Sequence, residues 1–146
     1  MGPPAWKVIA RWHDKSLCYP FFMKDESAYS LLQKGRELLE AGNPAQAAVV
    51  LERARVVEPR KGSILELLGR AYFGYGRYGR AAECFEEALA VDPTNDYAHY
   101  CLGLCCLKLK KPEEARAHIK LAWFLNPGEE YRQKAARYGL VETDAC

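Results

Sequence analysis

The chain has 146 residues, with 49% hydrophobic and 27% charged side chains and a formal net charge of +2. This length is typical of one domain. So small a net charge does not predict the strong positive field of a nucleic-acid-binding or membrane-binding protein, and no apolar run reaches the roughly 18–20 residues that cross a bilayer.

The chain begins with an aromatic-rich segment that contains Trp6, Trp12 and Phe21. This segment is too apolar for a disordered tail, and charged residues interrupt any signal-peptide core. Pro20 prevents it from continuing as one helix into the domain. A short helix and a strand both fit its start. In either form we expect residues 1–27 to cap the first helix that follows.

Glycine and proline recur with a fixed period through most of the remaining chain. Such a period is typical of a solenoid, in which stacked units produce an extended curved surface. Each unit divides into two stretches with apolar residues at helical spacing, which predicts helices over residues 28–41, 44–57, 62–75, 78–91, 96–109 and 112–125. The units cover residues 28–61, 62–95 and 96–129, and the recurring residues are Gly35, Gly69, Gly103, Pro59, Pro93 and Pro127.

The segment from Gly74 to Arg80 alternates glycine with tyrosine and arginine and, taken alone, is similar to an RNA-binding segment. In the repeat frame it is the turn between the two helices of the second unit, where Gly76 takes the place of Gly42. We therefore interpret it as a turn and predict no nucleic-acid partner and no membrane partner.

The end of the chain, residues 130–146, is predicted to form a C-terminal capping helix and a tail. A solenoid has to cover its last apolar face, and Tyr131, Ala135 and Tyr138 share one helical face in this region. Gly139 favours a helix end, so the helix itself is expected over residues 129–139.

Five further positions carry related residues in most of the units. Together with the glycines and prolines they resemble the tetratricopeptide repeat. Lys34, His99 and Cys106 depart from the pattern of that family, which weakens single contacts but leaves the frame intact. The resemblance implies an all-α, right-handed superhelical solenoid of three helix-turn-helix repeats with a C-terminal capping helix. The five positions hold Lys34, Leu68 and Leu102; Leu38, Tyr72 and Cys106; Ala47, Ala81 and Ala115; Leu51, Phe85 and Ile119; and Ala54, Ala88 and Ala122.

Six cysteines occur in the chain, and Cys101, Cys105 and Cys106 lie close to His99 in the sequence. Successive residues of a helix turn by about 100°, so these side chains do not converge as the ligands of a tetrahedral metal site would. A Cys–His nucleophile lacks a third group to orient the histidine. We interpret the cysteines as reduced packing thiols of a cytoplasmic protein and predict no metal, no cofactor and no catalytic residues.

The resemblance implies that the first helix of each unit lines a concave groove. Tyrosine, phenylalanine and arginine, which occur at the positions predicted to be exposed there, dominate the binding energy of many interfaces. The candidate partner-binding residues are Tyr29, Leu32, Arg36, Glu66, Arg70, Phe73, Tyr97, Tyr100, Leu104 and Lys108.

Some members of the family bind the C-terminal carboxylate of heat-shock chaperones through lysine, asparagine and arginine side chains. Only Arg36 is chemically similar at the matching positions, so the resemblance does not imply this function here. An apolar and aromatic groove with two arginines instead favours a protein or peptide ligand that carries apolar or aromatic side chains and an acidic group. The matching positions hold Leu32, Arg36, Leu67, Tyr97 and Cys101.

These features predict a non-catalytic protein-interaction module or scaffold that binds a peptide or helix in its concave groove. The alternative is a self-association module, a homodimer formed through the N-terminal segment or the solenoid ends. In a further arrangement, residues 1–24 occupy the groove of their own or of a neighbouring chain. No cluster of converging catalytic groups indicates an enzyme.

Overall fold

A computed structural model describes residues 26–139 of the chain, which form seven α-helices and no β-strand. The all-α prediction is confirmed, and each repeat helix begins and ends within one residue of its predicted bounds. The helices are α1 (Ala28–Glu40), α2 (Pro44–Val57), α3 (Gly62–Gly74), α4 (Tyr78–Val91), α5 (Asp96–Lys108), α6 (Pro112–Leu125) and α7 (Glu129–Arg137).

Each unit is a pair of helices that cross at the recurring glycine. A Cβ atom added at Gly35 would lie 2.5 Å from Leu51, and one added at Gly69 would lie 2.7 Å from Phe85. The third unit has the same contact, with 2.6 Å from Gly103 to Ile119. The 34-residue period therefore arises because close approach of the two helices in each unit requires a residue with no side chain.

Polar contacts join neighbouring units in addition to the continuous apolar core. Nη2 of Arg55 in α2 donates to both carboxylate oxygens of Glu87 in α4, at 2.7 and 2.9 Å. The Tyr72 hydroxyl of α3 donates to Glu52 of α2 at 2.6 Å. These links run from unit one to unit two, so they resist rotation of one unit against the next.

The turn inside each unit ends the first helix with the same pair of backbone hydrogen bonds. In unit one, the amide of Asn43 donates to the carbonyl of Leu38 at 2.8 Å, and the amide of Gly42 donates to Leu39 at 3.1 Å. This arrangement needs a left-handed residue, and Gly42 supplies it with a φ of 79°. In unit three the same place is held by Lys110, the one described non-glycine residue with a positive φ, at 61°.

We expect Lys110→Gly to raise the free energy of unfolding by about 0.5–1 kcal/mol, because it removes left-handed strain at a small cost in unfolded-state entropy. Lys111→Gly is the matched control, since Lys111 has a φ of −118° and gains nothing from glycine. Urea denaturation of the two variants checks this. A loss of stability in Lys110→Gly equal to that in Lys111→Gly would contradict the strain assignment.

The seventh helix, α7, caps the array through one carboxylate. Asp96 at the start of α5 accepts hydrogen bonds from the Tyr131 hydroxyl at 2.8 Å and from the Asn126 amide at 3.0 Å. Tyr131 and Ala135 are buried, as predicted, but Tyr138 is 45% exposed, because the helix ends at Arg137. Its assignment to the buried face was wrong.

The predicted N-terminal capping segment and C-terminal tail lie outside the described residues, apart from their inner ends. Of residues 1–27 the structure describes Glu26 and Ser27. Ser27 caps α1, since its hydroxyl accepts from the amide of Ser30 at 3.1 Å. Glu26 forms an ion pair with Arg53 of α2, so the chain enters the domain on the side of the second helices.

Candidate functional site: a groove between the first helices

The first helices of the units form one row. Helix α1 contacts α3, and α3 contacts α5, whereas α2, α4 and α6 make no comparable contacts with one another. The first helices are therefore closer together than the second helices, so the row of units curves and its concave side is built from α1, α3 and α5. This packing agrees with the prediction that the first helices line the inner surface.

A cavity of about 210 Å³ lies between α3 and α5 on this side. Five candidate residues from the sequence line it, and they bring together one cation and four aromatic or apolar side chains. Two further lining residues, Phe85 and Cys101, were not predicted, because the repeat pattern assigns Phe85 to the core and Cys101 to helix packing. The lining residues are Arg70, Phe73, Phe85, Tyr97, Tyr100, Cys101 and Leu104.

The other five candidates do not line this cavity. Tyr29, at 70% exposure, and Arg36 lie on the open surface of α1. Lys108 lies at the end of α5, where its ammonium is 5.8 Å from the ring centroid of Tyr78. Glu66 is half-buried and accepts a hydrogen bond from the Asn95 side chain, so its carboxylate is already engaged in joining α3 to the start of α5.

Leu32 and Tyr100 were predicted to be exposed, and this is wrong. Their exposed fractions are 7% and 8%. Leu32 belongs to the continuous core, because its position, three residues before the glycine, points toward the neighbouring first helix. A ligand in the groove would therefore contact Tyr100 only at its edge, and Leu32 has little surface to offer.

Helix α7 covers Tyr100 and extends the row of first helices. The Tyr131 ring lies 5.5 Å from the Tyr100 ring, and the Lys134 ammonium lies 4.8 Å from the Tyr100 centroid. Cations over aromatic faces are stabilising. The sequence did not predict this contribution, since α7 was assigned only a capping role, although its basic residues follow from the same helical spacing.

The charge at the cavity comes from Arg70, which is exposed on α3. Within residues 26–139 its guanidinium has no ion-pair partner at salt-bridge distance. The Tyr97 pKa is raised, first by burial and then by Cys101, while the positive charge of Arg70 acts in the opposite direction. The cavity thus combines an apolar lining with an available cation at its rim.

The cysteines near the cavity are unreactive packing groups. Cys84, Cys101, Cys105 and Cys106 are buried and free. Burial raises the pKa of the Cys101 thiol to about 11 and that of Cys105 to about 12. These thiols therefore stay protonated at neutral pH. Because the thiolate is the form that acts as nucleophile and metal ligand, the protonated thiols are unreactive. Residues 26–139 contain no group of three or more His, Cys, Asp or Glu side chains placed to hold a metal ion.

A second feature, the α6 patch, lies on the outer side of the last unit. It is a shallow depression of about 800 Å³ lined by Lys120, Leu121, Trp123, Phe124 and Pro127. Phe124 is 81% exposed. None of the helices in the described part of the chain is both long and apolar enough to cross a membrane.

Paired helices stacked with a 34-residue period, and a groove on the side of the first helices, define an α-solenoid interaction domain. The sequence profile of the tetratricopeptide repeat matches residues 32–78 and 67–130, more than half of the chain. The chain therefore belongs to the tetratricopeptide repeat family.

Among known proteins, the inactive TPR repeat-containing thioredoxin TTL3 of Arabidopsis thaliana is 28% identical over 94 residues. That match covers 64% of this chain and 14% of TTL3, so the chain spans about a seventh of that relative.

Two solved structures share the fold at low identity. The first TPR of Spaghetti (RPAP3), bound to the HSP90 peptide SRMEEVD, has a TM-score of 0.69 and 20% identity, covering 77% of this chain and 94% of that one. The type III secretion chaperone SycD of Yersinia enterocolitica, in complex with a peptide of the translocator YopD, has a TM-score of 0.68 and 18% identity, covering 76% and 86%. At this identity the likeness concerns the fold.

Proposed function

We propose that this domain is a non-catalytic module that binds a peptide with an apolar or aromatic side chain next to an acidic group. The observation that carries the proposal is the 210 Å³ cavity with Arg70 at its rim. The cavity has the size of one large side chain, and a guanidinium with no ion-pair partner among residues 26–139 matches a carboxylate. The peptides bound to the RPAP3 and SycD domains support this use of the fold.

The acidic group in this proposal is a side chain and not the C-terminal carboxylate of the ligand. Two positions at which relatives hold that carboxylate carry Leu32 and Leu67, and both are buried in the core. A third carries Cys101, whose thiol is neutral at physiological pH because burial raises its pKa. The cation at the cavity is Arg70, one turn farther along α3 than Glu66.

The four buried, free cysteines support a reducing compartment such as the cytoplasm for this module. No thiol in the described residues combines exposure with a lowered pKa, so these four cysteines offer no reactive nucleophile.

The test uses a library of fluorescent 12-residue peptides in which acidic and aromatic residues are placed at all relative spacings. For a peptide that binds the wild type, we expect Arg70→Ala and Tyr97→Ala each to weaken binding by about 5–30-fold, which corresponds to roughly 1–2 kcal/mol. Arg116→Ala is the matched control, because Arg116 is exposed on α6 away from the groove.

Two outcomes would contradict the proposal. One is a bound peptide whose affinity is unchanged by both groove variants. The other is a peptide whose affinity is lost when its C-terminus is amidated, since that result would assign the anchor to the terminal carboxylate. Thermal denaturation of each variant separates lost binding from lost folding.

A second candidate function is self-association through the α6 patch. Leu121 and Phe124 stand where the earlier units have Arg53 and Val56, or Glu87 and Ala90, so the last unit alone has two large apolar side chains at these positions. A second copy of the chain is the occupant we assign to it. Light scattering over a concentration series measures the molar mass, and a dimer that dissociates in Phe124→Ser supports this candidate. A monomer at all concentrations excludes it.

A further inference from the structure

Two histidines form a contact between α5 and α6 in the third unit. The Nδ1 atoms of His99 and His118 are 3.3 Å apart, and Nε2 of His99 is 3.0 Å from the carbonyl oxygen of Pro93. The ring centroids are 5.6 Å apart. This is about the Nδ1–Nδ1 distance plus the distance from each nitrogen to the centre of its own ring. The rings therefore meet edge to edge, with the two nitrogens pointing at each other.

This geometry fixes the protons of the pair. A carbonyl oxygen only accepts hydrogen bonds, so Nε2 of His99 carries a proton. In neutral His99 the other nitrogen, Nδ1, then has a lone pair and accepts. Nδ1 of His118 is the donor to it, and Nε2 of His118 is the site left for an added proton. The two histidines are thus opposite tautomers.

The pair takes up a first proton more easily than a second. The first goes to Nε2 of His118 and leaves the bond between the rings intact. A second has only Nδ1 of His99 to occupy, where it faces the N–H of His118, so it breaks the contact and places two positive charges side by side. Interacting sites of this kind titrate as a pair.

On balance the surroundings of His118 oppose its protonation. Burial is the largest influence on His118 and lowers its pKa from the usual 6.5, His99 lowers it further, and Glu114 of α6 raises it. Within residues 26–139, His99 and Glu114 are the titratable groups whose charges act on His118. A base with a lowered folded-state pKa contributes stability above its unfolded pKa and loses it as the pH falls. The loss therefore starts below about pH 6.5.

The place of the pair in the repeat gives the contact its consequence. Unit one has Leu31 and Val50 at the two equivalent positions, and unit two has Leu65 and Cys84. All four are buried apolar residues at the seam between the two helices of their unit. The third unit alone closes this seam with histidines, the side chains that titrate near neutral pH.

We propose that the histidine pair is a proton-sensitive contact that holds α5 to α6 at neutral pH, begins to lose stability when His118 takes a proton, and opens when His99 takes a second. Helix α5 also carries Tyr97, Tyr100 and Leu104 of the cavity, so opening loosens one wall of the groove and lowers ligand affinity. The effect on ligand affinity rests on the proposed function, whereas the histidine contact does not. Both tests below therefore use the full chain without ligand.

The first test is an NMR titration of the full chain labelled with ¹⁵N-histidine, in a His13→Gln background so that only the pair reports. At pH 8 we expect an Nε2–H tautomer for His99 and an Nδ1–H tautomer for His118, and the first proton should enter His118 below pH 6.5. Identical tautomers, or two rings that titrate independently with equal midpoints, would overturn the proposal.

The second test compares the wild type with His99→Leu/His118→Val, which installs the pair of unit one. Between pH 7.5 and 5.0 the melting temperature of the wild type should fall by about 3 °C more than that of the double variant. All other titratable groups are shared, so equal falls would overturn the proposal. If the double variant does not fold, the NMR titration of the wild type decides alone.

Discussion

Gly69→Leu is expected to lower the free energy of unfolding by about 3 kcal/mol, because the second unit has no room for a side chain at the crossing of α3 and α4. An added Cβ alone would lie 2.7–2.9 Å from three ring atoms of Phe85. Phe85 is 1% exposed, so a shift of its ring away from the new side chain disturbs the packed core. Overpacking of a well-packed core typically costs about 1–3 kcal/mol, and three further carbons add to it.

Gly79→Leu is the matched control for this change. Gly79 is also a helical glycine, in the first turn of α4, but no atom lies within 4 Å of the Cβ position there. Leucine should raise stability by up to about 1 kcal/mol through its helix propensity. Urea denaturation of both variants measures the difference. Similar midpoints for the two would show that the glycine period does not reflect helix crossing.

The sequence was sufficient for the fold because each unit repeats its constraints. Gly69, Tyr72, Ala81 and Phe85 each occupy a fixed place, and the same place is filled in a related way in the units before and after. The repeat pattern can still be recognised when one position departs from it, as Lys34 does in place of leucine. Helix bounds followed from the same frame, since a turn residue such as Gly42 recurs as Gly76.

The groove could be predicted only in part, because exposure depends on neighbours that a single repeat does not contain. Tyr100 has the same place in the frame as Glu66, yet it is covered by Tyr131 of α7, which follows the last repeat. Cys101 lines the cavity although its place in the frame is a packing position. The period predicted which helix faces the ligand, but not which side chains reach it.

The histidine contact was missed for a related reason. His99 was noted as a departure from the family pattern, whereas the pattern assigned no role to His118. Their contact depends on the crossing of α5 and α6, which brings residues 19 positions apart to 3.3 Å. Aligning His99 with Leu65, and His118 with Cys84, would have shown two buried seam positions occupied by titratable groups in the same unit.

Phe85→Ala is expected to lower the free energy of unfolding by about 3–5 kcal/mol, the usual range for removing a buried phenylalanine ring. The ring fills the crossing beneath Gly69 and also forms part of the cavity floor. Its loss joins the new void to the existing 210 Å³ cavity, so water can enter the core. Phe124→Ala is the matched control, and because that ring is 81% exposed the change should stay within about 0.5 kcal/mol.

A double-mutant cycle connects the two large effects. Gly69→Ala adds the one carbon that collides with the ring, and Phe85→Ala removes the ring atoms that it meets. If that collision is the cause of instability, the combined variant should be more stable than the sum of the two single changes by about 1 kcal/mol or more, as expected for residues in contact. Strict additivity in urea denaturation would mean that Gly69 and Phe85 stabilise the protein independently, and the steric account of the glycine period would have to be abandoned.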